Sequence, residues 1–311
     1  MSKILILIFI LLISACNKLP ESKGKYNEIT VVSSFEDRDY AKLFIGGIFN
    51  DSIYTPILQN SYIINYINPK NFTNNKLNKN LIIFSLDFPQ DSTIDLLSNK
   101  FIEKYENNIM SFNNMFSNNQ LVLHLRSFDY DNLVRENSIN LEWIKTQFDN
   151  NISENILYDY NKEEKSEEIN QKIKDKFSIN INIDDSYKVI KEDDSFLWIG
   201  RGFPYRWIVI NKLKSSNNKD IELLKIIFEK KLTSVKIPNL YLKEKKYKSF
   251  KKVRGIYDHL DSDTGGPFVS YIYEDRYKNY KLCISGFVNN PGKDKILLLK
   301  QLESIIENIK E

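Results

Sequence analysis

The chain has 311 residues, with 44 Lys and Arg against 41 Asp and Glu and a formal net charge of +3. With 42% hydrophobic residues it can bury one large core or two modest ones, which excludes wholesale disorder. The near balance of charge argues against a strong nucleic-acid binder, and two cysteines exclude a disulfide-rich scaffold and a thiolate zinc site. The 42 Ile, 37 Lys and 36 Asn, against 2 Ala and 7 Arg, point to an AT-rich genome, so abundance of Lys or Asn carries little by itself.

Met1-Ser2-Lys3 leads into the apolar run Ile4–Ile13 and then Ser14-Ala15-Cys16, the charged, apolar and small-residue regions of a secretory signal. The run falls short of the roughly twenty apolar residues a membrane helix needs. Ile13-Ser14-Ala15-Cys16 resembles the bacterial lipobox, in which the cysteine receives a diacylglycerol, the peptide is cut before it and the new amine is acylated. The expectation is a signal peptide over residues 1–15, a lipid on Cys16 and a flexible tether over 16–26, broken by Pro20 and Gly24. The tether lacks the acidic cluster that resembles a surface-export signal. This favours an outer-membrane lipoprotein facing the periplasm.

Glu28–Ser33 reads as a strand and Ser34–Phe49 as a helix carrying Tyr40, Leu43, Phe44 and Ile48 at helical spacing. Tyr62–Ile67, Asn80–Leu86 and Gln120–Arg126 read as further strands, and Thr93–Ile109 as a helix. Residues 27–150 thus form an N-terminal α/β lobe. Helical and increasingly charged sequence over 151–174 reads as an exposed linker to a C-terminal α+β lobe at 175–311. There, alternation over Phe177–Ile183 predicts a strand, as do Tyr187–Ile190, Ser195–Gly200 and Trp207–Leu213, followed by a helix at Asn218–Leu232. A basic connector, Lys236–Arg254, precedes a hairpin of Phe268–Glu274 and Tyr280–Val288. The closing helix has Leu298, Leu299, Leu302, Ile305, Ile306 and Ile309 on one stripe. The expected class is α+β: two lobes of largely antiparallel sheets packed by helices.

The run Asp263-Thr264-Gly265-Gly266-Pro267-Phe268-Val269-Ser270, the strand end Gly286-Phe287-Val288 with Pro291, and Leu302-Glu303-Ser304-Ile305 resemble a lipoprotein family of Bacteroidota, domain of unknown function 4837. Asn27–Val32, Phe196-Leu197-Trp198 and Arg254-Gly255-Ile256-Tyr257 match the same pattern, with Thr264 in place of Met and Ile256-Tyr257 in place of Leu-Trp. The resemblance implies a secreted, lipid-anchored envelope protein and brings no activity. More loosely, the element order after Phe177 looks like the sandwich of periplasmic PsbP-like proteins, from topology alone.

Candidate chemistry is sparse. Gly265-Gly266-Pro267 reads first as a tight turn entering a strand, and secondly as amides that receive an anionic group beside Arg254 and Arg201. Asp258, Asp261 and Asp263 lie on a loop, but counting from Asp261 the twelfth position is Ile272 where a calcium loop needs Glu. His124 and His259 lack metal-site spacing, and Cys283 sits mid-strand as a small apolar core residue. The aromatic group Trp198, Phe203, Tyr205 and Trp207 surrounds Arg201 and Arg206.

The expected function is a non-catalytic binding or assembly module at the membrane, with no cofactor, no metal and no nucleic acid. Its partners are the membrane, through Cys16, and an envelope protein. The expected surface comprises Trp198, Arg201, Arg254, Tyr257, Gly265, Gly266, Pro267 and Phe268, and Gly266→Val or Arg254→Glu is expected to impair it without disturbing the fold. The alternatives are an envelope hydrolase using His259 with Asp258 or Asp261, and a carrier of lipid or glycolipid in an apolar cavity.

Overall fold

β-branched runs separated by Asn-rich and charged segments build two main sheets in a computed structural model. The structure describes residues 18–88, 92–102, 108–137, 140–214, 220–238, 242–247, 250–261, 264–275 and 280–309. The signal segment and Cys16 lie outside these residues, as do Tyr241 and Lys248 of the basic stretch and Asp263 of the acidic loop. The chain divides into two units: residues up to Ile48 with Ile63–Asn151, and Phe49–Tyr62 with Ile152–Glu311. Among the described residues no helix is long and apolar enough to cross a membrane.

The first unit starts with β1 (Glu28–Val32) and α1 (Arg38–Ile48). The helix buries Ala41, Phe44, Ile45 and Ile48, and the Ser34 hydroxyl accepts the Asp37 N–H at 2.9 Å ahead of it. A hairpin, β2 (Ser52–Tyr54) and β3 (Leu58–Asn60), interrupts this unit and belongs to the second. The first unit resumes with β4 (Ile63–Ile67), β5 (Asn80–Leu86), α2 (Ser92–Ile102), β6 (Ile109–Asn113), β7 (Leu121–Ser127) and α3 (Tyr130–Asn137). Its sheet has the order β4-β1-β5-β7-β6. The pairs β1–β4, β1–β5 and β5–β7 are parallel, and only β6–β7 is antiparallel. Every residue of β5 is buried, which is why Leu81–Phe84 reads as an unbroken apolar run with no alternation. The helix expected to reach Ile109 ends at Ile102, and Ile109 opens β6 instead.

A 20-residue helix, α4 (Leu141–Tyr160), begins in the first unit and ends in the second. The expected linker does not stand apart: α5 (Glu167–Phe177) buries Ile169, Ile173 and Phe177 in the second unit's core. Two or three apolar residues at i, i+4 spacing suffice for one packed face, however charged the rest. Ser166 caps its start, and Ser178, at φ 60°, ends it in the left-handed region. Beyond it Ile179, Ile181 and Ile183 are buried and alternate with exposed Asn180 and Asn182, but this stretch forms no strand: Asn180 makes an isolated bridge, the Ile183 carbonyl accepts from the Ser166 N–H at 2.9 Å, and a Lys165–Asp184 bridge follows. The periodicity was that of a strand because extended chain alternates its faces with or without a partner.

The second unit continues with β8 (Lys188–Asp193), β9 (Phe196–Arg201), β10 (Tyr205–Lys214) and α6 (Asp220–Lys231). It ends with β11 (Val235–Lys236), β12 (Lys243–Tyr247), β13 (Phe250–His259), β14 (Thr264–Asp275), β15 (Tyr280–Asn289) and α7 (Ile296–Glu307). The main path of its sheet runs β11-β13-β14-β15-β10-β9-β8, β12 pairing on β13, and every pairing is antiparallel. The C-terminal hairpin and its amphipathic helix stand as expected. The basic connector, which reads as a solvated loop from its charge, instead forms β12 and the start of β13 over much of its length.

Candidate ligand-binding cleft

Side chains alternate across the large sheet and meet two different cores. On one face Leu197, Ile199, Ile208, Ile210, Val269, Tyr271 and Ile284 pack with Leu299, Leu302 and Ile306 of α7. On the other, Phe196, Val209, Tyr257, Phe268, Cys283 and Phe287 pack with Leu224, Ile227 and Phe228 of α6. Period-two alternation therefore separates the sequence-predicted surface into two sets. Trp198, Tyr257 and Phe268 belong to the α6 face, while Arg201 and Arg254 lie on the other and bond Asp184 and Glu303.

Tyr257 and Phe268 are fully buried, so they support the sheet and present no surface. The Tyr257 hydroxyl donates to the Val288 carbonyl at 3.2 Å. Gly265, Gly266 and Pro267 lie within β14, and no turn forms there. A Cβ on Gly265 would collide with the Tyr257 carbonyl oxygen, and one on Gly266 with that of Val288. These glycines let adjacent backbones close up, a requirement of packing. Gly266→Val accordingly disturbs the fold, contrary to the expectation from sequence. Trp198 and Trp207 are half-buried, in edge contact at 6.1 Å, and Gly200 makes room for Trp207, whose Cδ1 would lie 2.7 Å from a Cβ there.

Within the second unit Asp51, Ser52, Ile53, Tyr54, Ser61, Arg254 and Gly255 line a cleft of about 210 Å³. The hairpin β2–β3 supplies one wall, with Ser52 opposite Asn60 and its hydroxyl donating to Asn60 Oδ1 at 3.1 Å. Arg254 of β13 supplies the other and is clamped from below by α7. Its Nε donates to Glu303 Oε1 at 2.6 Å and its Nη2 to Oε2 at 2.7 Å. Such a two-toothed pair fixes the guanidinium plane, leaving Nη1 as the nitrogen that Glu303 does not engage. Burial alone would raise the Glu303 carboxyl, but Arg254 and Lys252 outweigh it and hold it down at about 2. Arg254→Glu would set two carboxylates together there, so this substitution too disturbs the fold.

Sequence reasoning found Arg254 but missed Asp51, Ser52, Tyr54 and Ser61, which nothing local connects to β13. Around the cleft a cation, an exposed carboxylate and hydroxyls converge on a small concave space. Drug-sized pockets begin at roughly 300 Å³, so this one suits a side chain or head group and is too small for a lipid tail. A second groove, of about 630 Å³, is lined by polar and charged residues of α5 together with Asn180, Ile181 and Asn182.

The other titratable candidates serve the structure. His124 is fully buried in the first unit, with Nε2 2.8 Å from the Ser98 hydroxyl and its ring stacked on Phe101 at 5.0 Å. Burial, aided by Arg126, lowers its pKa to about 4. Cys283 is buried, and desolvation pushes its thiol up to about 12. His259 lies 6.2 Å from the Trp207 ring, while Asp258, next along β13, points to the opposite face. Asp261 accepts a hydrogen bond from the Ser234 hydroxyl. Among the described residues no group of three His, Cys, Asp or Glu is placed to hold a metal ion.

Residues 225–308 match the family model of DUF4837, a domain of unknown function. The resemblance carried by Gly265–Ser270 and Leu302–Ile305 is therefore borne out over this stretch. No curated protein matches the chain. Among solved structures, the Ran-binding protein Mog1p of Saccharomyces cerevisiae is 9% identical, with 42% of this chain and 89% of that one covered and a TM-score of 0.32. A protein of Bacteroides thetaiotaomicron VPI-5482 is 10% identical over 42% and 44%, at 0.28. Cyanobacterial PsbP from Synechocystis sp. PCC 6803 is 4% identical over 42% and 85%, at 0.31.

Proposed function

We propose that this protein is a non-catalytic binding module of the cell envelope, held to a membrane by a lipid on Cys16 and presenting the Arg254 cleft to a polar group of an envelope protein. The observation that carries the binding reading is the clamped guanidinium of Arg254 in the wall of a small polar cleft. Preorganised donors of this kind bind without reorganising. The perturbed groups His124, Cys283 and Glu303 are each committed to packing or an internal ion pair, which supports a role without catalysis. The lipobox resemblance at Ile13–Cys16 supports the anchor, because two or more long acyl chains hold a protein to a bilayer almost permanently.

Two measurements test the two halves. Cys16→Ser is expected to move the protein from the membrane fraction to the soluble one and abolish palmitate incorporation; an unchanged distribution refutes the anchor. A photo-crosslinking residue at Tyr54, in the cleft, is compared with one at exposed Ile226 on α6. One discrete protein adduct from position 54, absent from 226, is the expected result. Identical adducts from both positions, or none from 54, refute the cleft as the binding site.

A further inference from the structure

A second arginine of the same sheet face lacks what Arg254 has. Arg206 in β10 is only 6% exposed, and its Nη1 donates to the neutral Oε1 of Gln301 on α7. Among the described residues its Nε has no hydrogen-bond partner, nor has the hydroxyl of fully buried Tyr187. Arg206 stands opposite Arg201 in the β9–β10 ladder, so two guanidinium groups face each other across adjacent strands. Arg201 has its counter-charges: Asp184 at 3.4 Å and Glu163 at 3.8 Å, with its guanidinium 5.9 Å from the Tyr187 ring centre. Lys165 adds a third cation, donating to the Tyr160 carbonyl, lying 3.7 Å from the Tyr160 ring centre and feeling the charge of Asp184.

Arg201 thus has Glu163 and Asp184 as its carboxylates, whereas among the described residues Arg206 has no carboxylate within ion-pair distance. Asp184 already accepts hydrogen bonds from the Ser186 N–H and hydroxyl and from Arg201, and makes none with Arg206. A guanidinium cannot shed its proton to escape, as a buried lysine or histidine does. Burial does work against the charge on Arg206, and its charge in turn is felt at Tyr187, where burial otherwise dominates. The fold therefore holds a buried cation and a buried hydroxyl whose Nε and Oη donors are not used by any described residue.

We propose that this corner is a site for one small oxyanion group, of the phosphate or carboxylate type, received by Arg206 with the Tyr187 hydroxyl as second donor and Arg201 at its flank. Charge-assisted bonds to a guanidinium suit such a group, and a neutral ligand would leave the charge of Arg206 unpaired. Glu163, whose side chain is 46% exposed, marks the edge of this corner that faces solvent.

The test titrates the purified Cys16→Ser protein with inorganic phosphate, and separately with acetate, against chloride at matched ionic strength, following melting temperature and heat of binding. Saturable stabilisation by phosphate or by acetate is expected, and which anion gives it separates the two types. Gln301→Glu, which supplies Arg206 with a carboxylate, is expected to abolish the response while keeping the fold. Tyr187→Phe should weaken binding about threefold to tenfold, the worth of one hydrogen bond, and Arg206→Met should remove it. If neither anion differs from chloride in the Cys16→Ser protein itself, the proposal is overturned. It is equally overturned if the response survives in Gln301→Glu and Tyr187→Phe, which decide the matter should Arg206→Met fail to fold.

Discussion

Replacing His124 by Gln should flatten the pH dependence of the first unit's stability between pH 7.5 and 5. In the folded chain the imidazole is fully buried, bonded to Ser98 and stacked on Phe101, and its pKa falls from 6.5 to about 4. Because the folded value lies below the unfolded one, the unfolded chain binds more protons throughout this interval. The contribution is then fully present above 6.5 and is lost as pH falls towards 4. A displacement of this size corresponds to about 3 kcal/mol in all, of which about 2 kcal/mol, a factor of about 30 in the opening constant, is lost between pH 7.5 and 5. Glu303 titrates lower, near 2, so its loss does not fall in this interval. Hydrogen exchange at the amides of β7, corrected for intrinsic rates, reads the opening of this unit alone. The wild type should lose about 30-fold in protection over that range, and His124→Gln, neutral at every pH, should lose little whatever its absolute stability. Equal slopes in the two proteins would refute the assignment of acid sensitivity to this histidine.

Gly266→Ala should lower stability by more than about 3 kcal/mol, because its Cβ meets the Val288 carbonyl and no flexible side chain can yield; a melting temperature within a few degrees of wild type would contradict this. Arg254→Gln should cost about 3 kcal/mol, since it strands Glu303 in the core with Lys252 at 3.4 Å as its remaining close cation. The paired change Arg254→Met with Glu303→Leu should recover most of that loss in urea unfolding, and failure to recover would show that the ion pair is not where the cost arises.

How much of this was legible depends on the range over which each contact acts. The hairpin of β14 and β15 with α7 could be read directly, because strand alternation, a polar turn and a helical stripe are all local. The strands β1, β4, β5 and β7 were found as strands, but not that most of them run parallel; direction is set by crossovers, and the unbroken apolar run in β5 marks burial on both faces without giving a direction. The basic stretch before Arg254 failed for a related reason. Strands β12 and β13 carry lysines along their length, and only pairing across the sheet makes Lys243 to Tyr247 a strand.

The site was less legible, and alternation explains why. Trp198, Arg201, Arg254, Tyr257 and Phe268 were grouped as one surface by their chemistry, yet odd and even positions of a strand never share a face. Once the register is known, the even positions Arg206 and Arg254 fall on the face covered by α7, and they differ in what the helix offers them: Gln301 to the first, Glu303 to the second. One helix thereby neutralises one arginine and leaves the other charged. That difference, two residues apart on α7, turns an ion pair of the core into a structural support for the cleft at Arg254 and leaves Arg206 an unsatisfied cation. It also makes Gln301→Glu the most informative single change in the molecule, since it makes the second arginine resemble the first.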